Sequence, residues 1–269
     1  MEVLRYAAFS DDPAGGNPAG VVLDAAGMSE NEMLAVAADV GYSETAFITA
    51  AKGNGDYDVR YFSREAEVAF CGHATVAAAV ALPRCGTLVF HTRSGPVAVE
   101  AREESATLTS VEPRIADLPD DDLDALLAAL HWRRDELDPS LPTRTAYAGV
   151  YHPVIAALSH DRLRKLDYDF DALGELMRAR DWTTIQLVWR EHESLFHARD
   201  PFPVGGVTED PATGAAAAAL GGYLRELGLV SPPADITVVQ GEDLGRPGRL
   251  DVHIPEAGGI AVTGTAVAL

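Results

Sequence analysis

The first half of the chain consists mainly of short apolar runs separated by turn residues, a pattern typical of β-strands. Runs such as VLRYAAF, ETAFITA, YDVRYFS and TLVFHT are bounded by Gly, Asn, Pro or Ser. Two stretches depart from this pattern. In SENEMLAVAADVG, Ser29 and Glu32 stand at capping-box spacing and Gly41 supplies a stop, which together predict a helix. The second stretch, GHATVAAAVAL, predicts a buried helix of small residues.

The second half of the chain repeats this order. A helix near DLPDDDLDALLAAL precedes the strand HPVIAAL, and a helix in DYDFDALGELMRARD precedes the strand WTTIQLVWR. The strand SLFHARD then leads to a second small-residue helix, which is followed by the strands ITVVQGED, GRLDVHI and GGIAVTGTAVAL. The pattern therefore predicts two regions that share one order of elements.

Sequence similarity between the halves supports a duplication. Residues 74–82 (ATVAAAVAL) and 212–220 (ATGAAAAAL) agree at seven of nine positions, including Thr75 and Thr213. The runs RYFSRE and LFHARD precede the two helices. Two alanine runs also match by composition alone, but the shared threonine and upstream strand favour two like domains. We expect an N-terminal domain over residues 1–116, completed by a C-terminal strand near 259–269, and a C-terminal domain over 117–258.

Charge narrows the choice of partners. The chain has 41 acidic and 21 basic residues and a formal net charge of −20. Because nucleic-acid binding needs a basic face, we exclude nucleic acid as a partner. We also expect no membrane partner, since no run of 18 apolar residues occurs and the N-terminus lacks the features of a signal peptide.

Cysteine and histidine usage gives expectations about compartment and metals. The two cysteines are too few for a disulfide framework, which fits a reducing cytoplasm. The eight histidines are scattered along the chain and form no Cys/His cluster at metal-ligand spacing. We therefore expect a cytoplasmic protein without a metal site or another cofactor.

The starts of the two small-residue helices are candidates for anion binding. The first backbone N–H groups of a helix lack intrahelical partners, and the helix dipole places partial positive charge there. Residues 72–75 and 211–214 are the predicted starts. Clefts between domains favour small-molecule sites, so two such ends would clamp a small anionic metabolite. His73 and Asp210 stand at these openings, although Asp210 also suits a helix cap and His73 a structural role.

Four ordered motifs resemble the PhzF family of phenazine-biosynthesis-like isomerases. They are FSDDPAGGNPAGVVLDA, GYSETAFI, RYFSREAEVAFCGHATVAAAVAL and EDPATGAAAAALGGYL. The resemblance implies an α+β fold like that of diaminopimelate epimerase: two pseudo-symmetric domains, each a curved, mostly antiparallel sheet around a central helix. It also implies an isomerase or epimerase that uses neither metal nor organic cofactor, whose site lies between the domains, and it implies a homodimer.

The resemblance also assigns residues. The catalytic glutamate of a motif like SETAF falls on Glu44, and the catalytic positions of GHAT and DPxTG fall on His73 and Asp210. The substrate-binding positions implied by these motifs are Asn17, Ser43, Gly72, Thr213, Gly214 and Ala215. A single carboxylate suits a proton shift, because one group in a dry cleft can take a proton from one carbon and return it to another.

Departures from related patterns leave two alternatives open. Epimerases of this fold that use two thiols have one on each side of the substrate carbon, but here only Cys71 stands at such a loop, because the second loop reads DPATG. We interpret Cys71 as a small buried residue. Ala215 replaces a serine that is frequent in the family, which argues against the phenazine precursor as substrate. The alternatives are a non-catalytic anion-binding protein and a thiol-dependent epimerase that uses Cys71 opposite Glu44.

Overall fold

The computed structural model describes residues 2–269, which form mainly β-strands. The chain divides into two compact units: one takes the chain up to Thr109 together with Thr263–Leu269, and the other comprises Ser110–Val262. Within the described residues, no helix is long and apolar enough to cross a membrane.

The first unit contains two helices, and its final strand comes from the end of the chain. Its elements are β1 (Leu4–Ala8), β2 (Asn17–Val22), α1 (Glu30–Val40), β3 (Glu44–Gly53), β4 (Asp56–Ser63), β5 (Glu67–Val68), α2 (Gly72–Ala81), β6 (Gly86–Thr92), β7 (Gly95–Ala101) and β8 (Ser105–Thr109). The last strand of the chain, β17 (Ala261–Ala268), pairs antiparallel with β1.

The second unit contains four helices. Its elements are β9 (Arg114–Asp117), α3 (Asp120–Ala129), β10 (Arg144–Tyr147), β11 (Tyr151–Ala156), α4 (His160–Arg164), α5 (Phe170–Arg180), β12 (Gln186–His192), β13 (Leu195–Pro201), β14 (Glu209–Asp210), α6 (Gly214–Glu226), β15 (Ala234–Gln240) and β16 (Gly248–Ile254). The strand β9 pairs antiparallel with β10. The second compact unit begins at Ser110, whereas the boundary expected from the sequence lies after residue 116.

The two units share one pairing scheme, as expected for a duplication. In the first unit β2 runs parallel to β3, β3 and β4 form an antiparallel pair, β4 runs parallel to β6, and β6 pairs antiparallel with β7. In the second unit β11, β12, β13, β15 and β16 make the same four kinds of pairing in the same order. The predicted fold class, α+β with two similar sheet-and-helix domains, is confirmed.

Local sequence signals explain the ends of α1. The side chain of Ser29 accepts a hydrogen bond from the backbone of Glu32, whose carboxylate accepts one from the backbone of Ser29, so the predicted capping box is present. Gly41 ends the helix with φ of 78°, a left-handed conformation that glycine adopts without the steric penalty of a Cβ.

The two small-residue helices are buried, as predicted, but they align differently from their sequences. They begin at Gly72 and Gly214, so the residues that precede them, Cys71 and Thr213, occupy equivalent positions. Thr75 lies inside the first turn of α2, whereas Thr213 is the N-cap of α6. The alignment of these two threonines is therefore wrong, and five of the seven identities that suggested it are alanines.

Small residues let α6 lie close to its neighbours within the second unit. A Cβ on Gly222 would come within 2.4 Å of Cβ of Pro113, and one on Gly221 within 2.8 Å of Cγ2 of Ile260. Contacts this short would force the backbone or the neighbouring side chains to move. Glycine at these two positions thus fixes how α6, with Thr213 at its start, sits in the unit.

Candidate active site

Glu44 lies at the first position of β3, between two neighbouring strands. It stands opposite Ala19 of the parallel strand β2 and opposite Ser63 of the antiparallel strand β4. Its side chain is only 14% exposed, and its one ion-pair partner among residues 2–269 is His73, whose Nε2 lies 3.4 Å from Oε2 of Glu44. The carboxylate is thus largely shielded from water without being tied to an arginine or lysine.

His73 is held from both sides of its ring. The amide Nδ2 of Asn17 lies 3.2 Å from Nδ1, and the hydroxyl of Ser43 lies 3.3 Å from Nε2. Because an amide nitrogen only donates hydrogen bonds, Nδ1 accepts and the neutral ring carries its proton on Nε2. That proton faces Ser43 and Glu44. The arrangement gives the Glu44 carboxylate a donor from an uncharged imidazole.

Cys71 belongs to this cluster through its thiol. Sγ lies 3.3 Å from Nδ1 of His73 and 3.6 Å from Oε2 of Glu44. The interpretation of Cys71 as only a small buried residue is therefore incomplete, since its thiol touches both predicted catalytic side chains. The signal available in the sequence was the position of Cys71 directly before Gly72 and His73.

A buried hydrogen-bond chain fixes the backbone at this helix start. The hydroxyl of Thr75 donates to the carbonyl of Cys71 at 2.7 Å, and the hydroxyl of Tyr61 donates to Thr75 at 2.6 Å. Burial raises the pKa of Tyr61 above its usual range, which keeps the phenol neutral and able to donate. The first turn of α2 and the Cys71 thiol are thereby held in one position.

A second polar cluster surrounds the start of α6. The hydroxyl of Thr213 donates to Oδ2 of Asp210 at 2.7 Å. The amide of Gln240 accepts from the backbone N–H of Thr213 at 3.0 Å and donates to the backbone carbonyl of Asp210 at 2.8 Å. Asp210 is therefore not a helix cap, since Thr213 holds the N-cap position. Gln240 was not among the site residues predicted from the sequence.

Comparison with known proteins places the chain in a family. A model described as phenazine biosynthesis-like protein (PhzC-PhzF) matches residues 6–269. The chain belongs to the phenazine biosynthesis-like family. An uncharacterized isomerase from Bacillus subtilis is 31% identical over 99% of this chain and 96% of its own length. The crystal structure of a PhzF-family protein from Bacillus anthracis has a TM-score of 0.88 and 25% identity, covering 100% of this chain and 98% of the other.

Another relative has a named reaction. The trans-2,3-dihydro-3-hydroxyanthranilate isomerase of Pseudomonas fluorescens is 29% identical over 89% of this chain and 85% of its own length. Together with the family match, these relatives confirm the predicted resemblance and the predicted enzyme class, an isomerase.

The predicted site residues of this phenazine biosynthesis-like protein fall into two groups. The first unit brings together Asn17, Ser43, Glu44, Gly72 and His73, to which the structure adds Cys71. The second unit brings together Asp210, Thr213, Gly214 and Ala215, to which it adds Gln240. No role of these residues follows from the family match alone.

A buried acid lies behind the second group of this family member. Asp200 stands opposite Asp210 in the β13–β14 pair and accepts a hydrogen bond from the hydroxyl of Thr184 at 2.9 Å. Burial, reinforced by the carboxylates of Asp210 and Glu209, raises the pKa of Asp200 well above its ordinary value. The environment therefore favours the protonated form. Asp200 is the last residue of the run LFHARD. Its position in that run was the only sign in the sequence that it belongs near the site.

The Thr184 hydroxyl continues the chain to a buried histidine. Nδ1 of His152 lies 2.9 Å from Oγ1 of Thr184, and burial lowers the pKa of His152 to about 4. Since Thr184 donates to Asp200, it accepts from the Nδ1–H of a neutral His152. His152, Thr184 and Asp200 thus form a buried chain of hydrogen bonds between uncharged groups, next to the second group.

The candidate site also contains a set of possible metal ligands. One ligand atom each from Glu44, Cys71 and His73 lies within 4.8 Å of the others. A thiolate, an imidazole and a carboxylate are ligands that Zn²⁺ accepts. Any assay of this family member therefore needs a chelator control.

Proposed function

We propose that this chain catalyses a cofactor-independent isomerisation in which Glu44 moves a proton within a small carboxylate-containing substrate. The observation that carries the proposal is the position of Glu44: its carboxylate is 14% exposed and lies beside the first turn of α2. An ionised carboxylate there takes a proton from one carbon, and the resulting acid returns it to another. The family relatives named as isomerases support this class of reaction.

His73 is proposed to orient Glu44 and to donate to the substrate. Its proton on Nε2 faces both the Glu44 carboxylate, at 3.4 Å, and the Ser43 hydroxyl, at 3.3 Å. These contacts are long for hydrogen bonds, so a substrate oxygen that enters the cluster competes for the same donor. Asn17 holds the opposite side of the ring and keeps the tautomer fixed.

The start of α2 is proposed to bind the substrate carboxylate. The N-cap Cys71 makes no side-chain capping bond to the first turn, which begins at Gly72. Backbone N–H groups in such a turn, together with the helix dipole, favour an anion. The named substrate of the Pseudomonas fluorescens relative contains a carboxylate, which is consistent with this role. The catalytic role predicted for Asp210 and the substrate-binding roles predicted for Thr213, Gly214 and Ala215 stay predictions.

Isotope exchange tests the proposal. The protein is incubated in D₂O with trans-2,3-dihydro-3-hydroxyanthranilate and with a panel of small unsaturated carboxylates, with and without a chelator, and deuterium at carbon is followed by NMR. We expect exchange into at least one compound, insensitive to the chelator. Glu44→Gln should slow it by about 10²–10⁴-fold, the usual contribution of a general acid–base. The matched control is Glu103→Gln, an exposed glutamate of the same unit, and it should exchange at the wild-type rate.

Two results would refute the proposal. If Glu44→Gln leaves the rate of deuterium exchange unchanged, Glu44 is not the group that moves the proton. Binding of carboxylates without exchange into any of them would favour the alternative of a non-catalytic anion-binding protein.

A thiol-dependent epimerisation is the second candidate, because Sγ of Cys71 lies 3.6 Å from Oε2 of Glu44. In that reaction one of the two groups, ionised, would take a proton from one face of the substrate carbon, while the other, protonated, would deliver its proton to the opposite face. Cys71→Ala separates the candidates. Exchange that persists in this variant supports the single-carboxylate reaction, whereas a loss equal to that of Glu44→Gln supports the thiol.

A further inference from the structure

Two histidines and a glutamate from three separate elements of the second unit form a cluster that shares no residue with the one around Asp210. His160 is the first residue of α4, His197 lies in β13, and Glu242 begins a short 3₁₀ turn after β15. One ligand atom from each lies within 4.8 Å of the other two. Neither the family match nor the named relatives assign a role to this cluster.

His197 is clamped between two carboxylates. Nδ1 lies 2.8 Å from Oε2 of Glu242, and Nε2 lies 2.8 Å from Oε2 of Glu191. The imidazole side chain is 12% exposed. A ring with an acceptor at each nitrogen either carries two protons or gives one nitrogen to a metal ion while the other donates to a carboxylate. The second arrangement is the usual surrounding of a metal-bound histidine.

Aromatic packing holds His160 beside this pair. Its ring stacks on Trp189, with centroids 4.7 Å apart and planes 7° apart, and its centroid lies 4.6 Å from that of His197. Packing of this kind restricts the ring before any ligand arrives, which lowers the entropy cost of binding. The three donors are therefore already gathered around one point.

The chemistry of the three side chains and the charges around them indicate which metal ion the cluster would bind. Two imidazoles and one carboxylate suit Zn²⁺, which accepts three protein ligands and keeps a fourth position for water. In a tetrahedral zinc site neighbouring ligand atoms are about 3.3 Å apart, a separation between the 2.8 Å from His197 to Glu242 and the 4.8 Å within which all three ligand atoms lie. The nearby Arg164 is paired with Asp243 at 3.1 Å, which offsets its charge.

We propose that His160, His197 and Glu242 bind a Zn²⁺ ion, with Glu191 accepting the remaining ring N–H of His197. The ion would join α4, β13 and the turn after β15, and so would stabilise the second unit by binding the folded state. The site is independent of the proposed isomerase reaction, since it shares no residue with the cluster around Glu44.

Zinc titration tests the site in a Cys71→Ala background, which removes the thiol of the other possible ligand set. Calorimetry should show one zinc per chain. Glu191→Gln should weaken binding by about 10–100-fold, the usual effect of losing a carboxylate behind a metal-bound histidine. His160→Gln and Glu242→Gln, which each remove a ligand, should weaken it at least as much. The matched control is His253→Gln, because His253 also faces one carboxylate, Asp235, at 2.7 Å but is not part of such a cluster.

A second measurement uses the wild-type chain with Co²⁺ in place of zinc. Cobalt bound by imidazole and carboxylate shows visible d–d bands without the intense near-ultraviolet charge transfer of a thiolate ligand. We expect the d–d bands in wild type and their loss in Glu242→Gln, whose exposed side chain can change without disturbing the core. The proposal is overturned by zinc uptake that requires Cys71, by no uptake at all, or by uptake that His160→Gln and Glu242→Gln leave unchanged.

Discussion

The starts of α2 and α6 show how one scaffold carries two different kinds of polar cluster. Around α2, the contacts among Glu44, Cys71 and His73 measure 3.3–3.6 Å. Around α6, Thr213 binds Asp210 and Gln240 at 2.7–3.0 Å. The contacts among Glu44, Cys71 and His73 are thus longer than the partly buried hydrogen bonds that Thr213 makes in the second cluster. We therefore expect substitutions in the first to cost activity and substitutions in the second to cost stability.

The largest expected effect concerns turnover and the first cluster. Glu44→Gln keeps the size of the side chain but removes the group that exchanges protons, so kcat should fall by about 10²–10⁴-fold. The free energy of unfolding should stay within about 0.5 kcal/mol of wild type, since no strong ion pair is lost. Turnover and urea denaturation check the two parts separately. A loss of stability in Glu44→Gln that parallels its loss of activity would contradict the expectation that the first cluster contributes to activity and not to stability.

The second effect is the pH dependence of stability in the second unit. Because the pKa of His152 is about 4 when folded and its ordinary value is 6.5, the unfolded chain binds the proton first as pH falls. The contribution of His152 to the free energy of unfolding is therefore complete above pH 6.5. As pH falls from 6.5 to 4, this contribution decreases by about 3 kcal/mol.

A His152→Gln variant isolates this contribution. It should show a correspondingly flatter loss of stability over the same pH range in denaturant titrations. Equal slopes for variant and wild type would mean that His152 is not a buried neutral group.

The next effect concerns the helix that positions Thr213. Gly222→Ala introduces a Cβ within 2.4 Å of Pro113 and should lower the free energy of unfolding by about 1–3 kcal/mol. Gly174→Ala in α5 is the matched control, because its Cβ would lie 3.4 Å from both the Arg178 side chain and Cβ of Pro203, which are ordinary van der Waals contacts. This control should be neutral or stabilise by up to about 1 kcal/mol. Thermal unfolding distinguishes them, and equal destabilisation would contradict the close packing of α6.

The smallest effect comes from single groups at the two equivalent helix starts. Thr213→Val removes the hydroxyl that donates to Asp210 and should lower the free energy of unfolding by about 1–2 kcal/mol. Cys71→Ala removes a thiol whose contacts with Glu44 and His73 measure 3.6 and 3.3 Å, and it should cost less. If Cys71→Ala were the more destabilising change, the expectation that the α6 cluster serves stability and the α2 cluster serves activity would be wrong.

Local and repeated patterns carried most of the fold prediction. The capping box of α1, the long strands and both small-residue helices followed from the sequence. The short elements β9, β10 and α4 did not, because four or five residues are too few for a periodic pattern to stand out. The alignment of the two helices failed for a related reason: alanine repeats carry no register information.

The residues around Glu44 were predicted from the motifs of the family resemblance, although Asn17, Glu44 and His73 are far apart in sequence. Cys71 was interpreted as a small buried residue, and only the alternative of a thiol-dependent epimerase included it. The pairing of His160 with His197 was not foreseen, because it depends on α4 packing beside β12 and β13. Likewise, the contact of Asp200 with Thr184 depends on which strands pair. Such clusters are products of tertiary structure and leave no spacing signal.

The most direct test of the account is a crystal structure of Glu44→Gln with a bound small carboxylate that wild type deuterates. We expect a substrate carbon about 3–3.5 Å from the side-chain oxygen of residue 44, the separation needed for transfer, and the substrate carboxylate at the first turn of α2. A ligand with no carbon near residue 44 would contradict the role of Glu44 in proton transfer.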